Sequence, residues 1–142
     1  MYQKIIVLGY LGGDPEMRYM ADGQAVTNFS LATNRRWTDK ASGQQQDETT
    51  WFRVSVWGKQ AELANQYLSK GRQVLVEGRI RPDPKSGSPR LFTRQDGTVG
   101  ASFEITADVI RFVGSRDQAG FEAGAPAAGG GAAAQDEDDI PF

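Results

Sequence analysis

The chain has 142 residues and a mass of 15.5 kDa, enough for one ordinary domain and a tail, with 39% hydrophobic and 24% charged residues. Cysteine and histidine are both absent, which excludes disulfides, thiol nucleophiles, imidazole general bases and nearly every structural zinc site. The net charge of −2 conceals a division: residues 1–116 carry all sixteen Lys and Arg against twelve acids, whereas residues 117–142 hold six acids and no base.

Residues 4–12 (KIIVLGYLG) are predicted as a mostly apolar first strand, its glycines suited to a bend or bulge. Its apolar stretch lacks the charged lead-in and small-residue cleavage site of a signal peptide, and no apolar run reaches bilayer-spanning length. A cytoplasmic protein with no membrane contact is therefore expected. EMRYMADGQAV places a short edge segment before Asp22-Gly23, a hairpin signal leading into VTNFSLATNR. There Thr27, Phe29, Leu31 and Thr33 share one face, and Val26, Asn28, Ser30 and Ala32 the other. A polar loop, TDKASGQQQDE, separates this strand from TTWFRVSVWG (49–58).

KQAELANQYLSKG is predicted as a helix: Ala61, Ala64, Tyr67 and Leu68 recur at helical spacing, Lys70 falls in the last turn and Gly71 suits the C-terminal cap. RQVLVEGRIRP (72–82) is a strand that stops at Pro82. PDPKSGSPRLFTRQDGTVG contains a long loop or projecting hairpin, with turn signals at Ser86-Gly87 and Asp96-Gly97. SFEITADVIRFVG closes the domain as a strand, with Phe103, Ile105, Ala107 and Val109 on one face. After Gly114 apolar periodicity is lost. Residues 115–135, rich in Ala and Gly, are expected to form a flexible linker, and residues 136–142 read DEDDIPF.

Five main strands with one helix between the third and fourth define an all-β domain over residues 1–114, followed by a disordered acidic C-terminal tail. The expected architecture is a small closed antiparallel barrel of the oligonucleotide-binding (OB) type. An open sheet with one covering helix has the same element list. The first strand has apolar residues on both faces, among them Ile5, Val7 and Tyr10, so one face is available to a second subunit.

The most informative segment is Thr50–Trp57. Alternation makes Phe52, Val54 and Val56 a core row and leaves Trp51, Arg53, Ser55 and Trp57 on the opposite face. An indole offers a flat π-surface that stacks on any nucleobase, and arginine neutralises phosphate or stacks itself. Packing under a loop or in a subunit interface explains two tryptophans equally well. Recurrence shifts the balance. Leu75, Glu77, Arg79 and Arg81 face away from a core row of Val74, Val76, Gly78 and Ile80; Arg35, Arg36 and Trp37 end the second strand where the loop begins; and Arg90, Phe92 and Arg94 recur at strand spacing. Basic residues interleaved with aromatics across four segments form the pattern of a single-strand binder.

KIIVLGYLGGDPEMRYMADGQAVTNFSLATNRRW, TTWFRVSVWGKQAELANQYLSKGRQVLVEGRI and the terminal DEDDIPF together resemble the bacterial single-stranded-DNA-binding proteins, over about residues 1–112 and the last seven. The resemblance implies an OB barrel, a homotetramer that wraps single-stranded DNA, and a cytoplasmic, nucleoid-associated location. By position, Trp37, Trp51 and Trp57 match the family's stacking aromatics, with Trp57 standing where many members have phenylalanine. Many members have a further tryptophan after the position of Arg81, where this chain reads Pro82-Asp83-Pro84-Lys85, and Phe92 is the candidate to replace it. Phosphates would follow Arg35, Arg36, Arg53, Arg79, Arg81, Arg90 and Arg94.

An acidic terminus is usually a solubilising appendage, but Ile140-Pro141-Phe142 after Asp136, Glu137, Asp138 and Asp139 suits an apolar pocket with a basic rim on another protein. The resemblance implies that this tip recruits replication, recombination and repair enzymes. The contiguous acids do not read as a two-metal nuclease centre, which needs carboxylates converging from separate rigid elements. No metal or other cofactor is expected, and Gly9, Gly12 and Gly13 lack the Lys-Ser/Thr of a phosphate loop. An interaction module that binds protein through the aromatic face, and an RNA-binding barrel, remain the alternatives to a non-enzymatic DNA binder.

Overall fold

The computed structural model describes residues 1–114; the expected linker 115–135 and acidic tip 136–142 lie outside the described residues. The chain forms β1 (Ile5–Leu11), β2 (Glu16–Tyr19), β3 (Ala25–Thr38), β4 (Gln45–Trp57), α1 (Lys59–Tyr67), β5 (Gln73–Ile80), β6 (Arg90–Thr93) and β7 (Val99–Val113). The strands run in the order β1-β5-β7-β4-β3, and β3 returns to β1 through Tyr10↔Ala32 and Leu11↔Leu31, which closes a five-stranded barrel. The short β2 hangs on β3 and β6 on β7. The closed form, not the open sheet, is the architecture, and its helix lies between the third and fourth barrel strands. One strand pair departs from the antiparallel expectation. Phe52–Ser55 of β4 runs parallel to Phe103–Thr106 of β7, because the chain passes through α1 and β5 before returning to β4.

The alternating rows meet inside the barrel. Phe29 and Leu31, Val54 and Val56, Val74 and Val76 pack with Ile105, and each is at most 4% exposed. Leu31 has no exposure, so truncation to alanine there would cost about 2–5 kcal/mol. Two close backbone approaches let so small a barrel shut. A Cβ on Gly9 would overlap the Ala32 carbonyl oxygen at the β1–β3 seam, and one on Gly78 would overlap the Thr106 carbonyl between β5 and β7.

The helix covers one end of the barrel with small residues. Ala61 and Ala64 are fully buried, and the buried Thr27 hydroxyl donates to the Ala61 carbonyl at 2.7 Å. It ends at Tyr67, earlier than the sequence indicates: Leu68 adopts extended backbone and turns into the core, so Lys70 and Gly71 lie beyond the last turn. Tyr67 stays half outside, tilted against Phe112 at 5.6 Å.

A β-bulge in β7 corrects one expected face. Glu77 pairs with Val109 but the next residue, Gly78, pairs with Ala107, leaving Asp108 as the extra residue. The parity of the strand therefore flips. Ile110, not Val109, packs against the core after Ala107. Gln60 of α1 takes up the backbone groups that the bulge leaves free, donating to the Asp108 carbonyl at 2.8 Å and accepting from the Ile110 N–H at 3.0 Å. Toward the other end of the barrel, Ile80 and Phe103 are 42% and 48% exposed, so the expected core rows of β5 and β7 run past the core there.

Candidate nucleic-acid interface

The β3–β4 hairpin is longer than its sequence suggests. The polar stretch 38–48 is not a loop: β3 and β4 pair continuously from Val26↔Trp57 out to Thr38↔Gln45, and only residues 39–44 turn. Asp39 organises this turn, accepting from the Ala41 N–H and the Ser42 hydroxyl, and these hydrogen bonds hold its carboxyl below the usual carboxylate range. Trp37, Arg35 and Arg36 accordingly sit on a paired strand. The Arg35 guanidinium lies 5.2 Å from the centre of the Trp37 ring, and Arg36 bonds Asp47 across the hairpin at 3.1 Å.

The outer row of β4 is as expected: Trp51 is 54% exposed, Arg53 is exposed, and Ser55 and Trp57 are half-buried. Ser55 donates to the Asn28 side chain at 2.7 Å, which fixes both on the outer face. Trp51 and Trp57 lie six residues apart on one strand, about 20 Å along it. Trp37 belongs to the other face of the hairpin, since it pairs with Gln46 and so shares the parity of Phe52, not of Trp51. The tryptophans therefore do not form one continuous row.

Beside Arg53 the barrel surface is concave. A cavity of about 350 Å³ is lined by Arg18, Arg53, Arg81 and Arg90, with Phe92, Asn28, Ser55, Ser102 and Glu104 between them. Cross-strand register explains the convergence: Arg53 stands level with Glu104 of β7, whose carbonyl accepts the Arg81 N–H, and Arg90 of β6 pairs with Ser102. Phe92 pairs with Gly100 on the same face of β6, with the Arg94 guanidinium 5.4 Å from its ring centre. The long 83–100 segment is thus a projecting hairpin, opened by an Asp83 turn and closed by an Asp96 turn. Backbone N–H groups bonded to Asp83 and the Thr98 hydroxyl bonded to Asp96 pull these carboxyls below their usual range.

Not all the candidate arginines are equally free. Arg36 is paired with Asp47, Arg79 with Asp108 at 3.4 Å, and Arg90 faces Glu104 at 3.9 Å. Among the described residues Arg35, Arg53, Arg81 and Arg94 make no such ion pair. Sequence reasoning missed Arg18 and Glu104. Arg18 sits on the short β2, opposite Val26 and hence two strands from Trp57, where the only signal was one base in an edge segment. Glu104 carries no linear signal, because its place beside Arg53 comes from the parallel β4–β7 register.

A five-stranded OB barrel with four arginines and Phe92 gathered around one surface cavity has the architecture of an oligonucleotide-binding domain. Residues 2–113 match the Single-strand binding protein family, and the chain belongs to that family. Two solved structures are similar to it. One is described as the single-strand binding protein of Plasmodium falciparum in complex with single-stranded DNA, with 26% identity and a TM-score of 0.63, covering 80% of this chain and 96% of that one. The other is a deletion mutant of the single-stranded DNA binding protein from Thermus aquaticus, with 27% identity and a TM-score of 0.61, covering 81% of this chain and 52% of that one.

Proposed function

We propose that this protein coats single-stranded DNA without sequence preference, stacking bases on Trp37, Trp51, Trp57 and Phe92 while arginines follow the phosphates. Family membership and the DNA-bound relative support the ligand. The observation that carries the mechanism is Trp51: the residue is 54% exposed and shares the outer row of β4 with Arg53, which lines the arginine-rich cavity and has no ion-pair partner among the described residues. A protein that only folds gains nothing from that exposure. Stacking accepts every base because every base has a π-face, and each such contact is worth ~1–3 kcal/mol.

The test is tryptophan fluorescence during titration with oligo-dT at two salt concentrations, with duplex DNA and oligo-U as competitors. Quenching that weakens with salt and is poorly competed by duplex supports the reading. Intact protein that is not quenched would move the indoles into an interface and favour the interaction-module alternative.

Two further roles complete the proposal. Residues 1–114 bind DNA, and residues 136–142 at the end of the 115–135 linker recruit replication, recombination and repair enzymes. An acidic lead followed by Ile-Pro-Phe suits a basic-rimmed apolar pocket. The working unit is a homotetramer, and β1 supports association: Ile6, Leu8 and Tyr10 on its outer face are 62%, 48% and 56% exposed.

A further inference from the structure

We propose that Gly12 and Gly100 are positioning residues for base stacking, each leaving a bare patch of backbone against which one aromatic side chain rests. Gly12 serves Trp51, and Gly100 serves Phe92. The proposal deepens the stacking reading above and rests on it.

Gly12 follows β1 and donates its N–H to the Ser30 carbonyl at 3.1 Å, which brings its Cα against the outer face of β3 and β4. A Cβ built there would overlap Trp51 Cζ3, would lie 2.8 Å from Cη2, and would approach Ser30 Oγ to 3.1 Å. The far edge of the indole thus fills the space a side chain would take. Gly100 repeats the arrangement on β7. It lies directly across from Phe92, and its Cβ would come within 2.7 Å of Phe92 Cζ and 2.9 Å of the Arg94 guanidinium carbon.

Torsion does not explain either glycine. The positive-φ glycines of the chain lie elsewhere, so the backbone at Gly12 and Gly100 admits an L-residue. What each position requires is room. Gly13 supplies the contrast within one dipeptide, since a Cβ at Gly13 meets nothing within 4 Å. An alanine at position 12 or 100 would leave the barrel core untouched, because the atoms it meets are those of outward-facing side chains. It would instead lift the ring from the sheet and cost the orientation in which a base stacks on it.

The experiment is a pair of double-mutant cycles on the full-length chain, read by anisotropy of labelled oligo-dT, with tryptophan emission and thermal midpoint recorded for each variant. Trp51→Ala is expected to weaken binding about ten- to a hundredfold, Gly12→Ala about three- to tenfold with a shifted emission maximum, and Gly13→Ala not at all. The combined variant G12A/W51A is expected to bind no more weakly than W51A, and G100A/F92A no more weakly than F92A. Binding by G12A and G100A at the wild-type level, or a G12A penalty of the same size with and without Trp51, overturns the proposal. Wild-type affinity in W51A and F92A refutes the stacking reading itself, which is a distinguishable failure. Should G12A lose its fold, the Gly100 cycle decides.

Discussion

Replacing Arg53 by glutamine tests whether the ion pairs seen on the surface decide which arginines meet phosphate. Single-stranded DNA releases counterions in proportion to the phosphates neutralised, so log K falls against log salt with a slope of about −0.7 per contact. Seven candidate arginines all engaged would give about −5 per protomer. Three of them already face a carboxylate in the structure, at Asp47, Asp108 and Glu104. If those ion pairs decide, then of the seven candidates Arg35, Arg53, Arg81 and Arg94 would release their full charge to DNA, and the slope expected from them is about −3. Arg53→Gln should flatten it by about 0.7, so that the variant's deficit shrinks roughly two- to threefold between 50 and 200 mM salt. Arg79→Gln should change it by clearly less, since Asp108 already compensates that charge. The assay is anisotropy of labelled oligo-dT over a salt series. A wild-type slope near −5, or equal losses for the Arg53 and Arg79 variants, would refute the reasoning.

Deleting residues 136–142 is expected to abolish capture of replication and repair enzymes and to tighten oligo-dT binding at low salt, since four acids cease to compete for the basic face; unchanged affinity would discount the competition. Thr27→Val should lower stability by about 1 kcal/mol, seen as a reduced denaturation midpoint at constant m-value, because the hydroxyl that ties β3 to the Ala61 carbonyl is lost. Gly78→Ala should cost at least ~1–3 kcal/mol, since its Cβ would overlap the Thr106 carbonyl, where no side chain can yield. The Lys4 ammonium, bonded to Glu77 at 2.6 Å, holds the Glu77 carboxyl below its usual 4.5 and is itself raised above 10.5. The carboxylate's share of stability is full above pH 4.5 and is lost as pH falls through its depressed value. The ammonium's share is full below pH 10.5 and is lost as pH rises through its raised value. Glu77→Gln should therefore flatten both limbs of a thermal-midpoint profile.

The strands at 49–57 and 73–79 were legible because each has one buried row, and alternation announces a buried row. The outer half of the β3–β4 hairpin was not. Arg35↔Glu48, Arg36↔Asp47 and Trp37↔Gln46 pair above the barrel with no core to face, so the sequence is polar on both sides and reads as loop. The same cause hid the position of Trp37. Stacking residues could be chosen from composition, but their faces could not, because the number of paired residues beyond the core sets the parity. Val109 was misplaced for a related reason: a bulge adds one residue without any hydrophobic signature, and every later side chain changes sides. The grouping of Arg18, Arg81, Arg90 and Glu104 around Arg53 depends on barrel closure and on the parallel β4–β7 register, neither of which a linear pattern contains.

The placement of β7 has a consequence for how the protein comes into being. This strand is the final described element, yet it sits between β5 and β4 and carries β6 as well. Its pairing with β4 joins residues about fifty positions apart, a non-local closure of the slow-forming kind. On the ribosome, where the chain emerges from its N-terminus, the β3–β4 hairpin and α1 are available long before the strand that locks them into a barrel. The arginine cavity needs Ser102 and Glu104 of β7 as well as the β6 it carries. A nascent chain therefore displays Trp51 before the arginine-lined cavity exists, and that cavity is completed at one late step, when the barrel shuts.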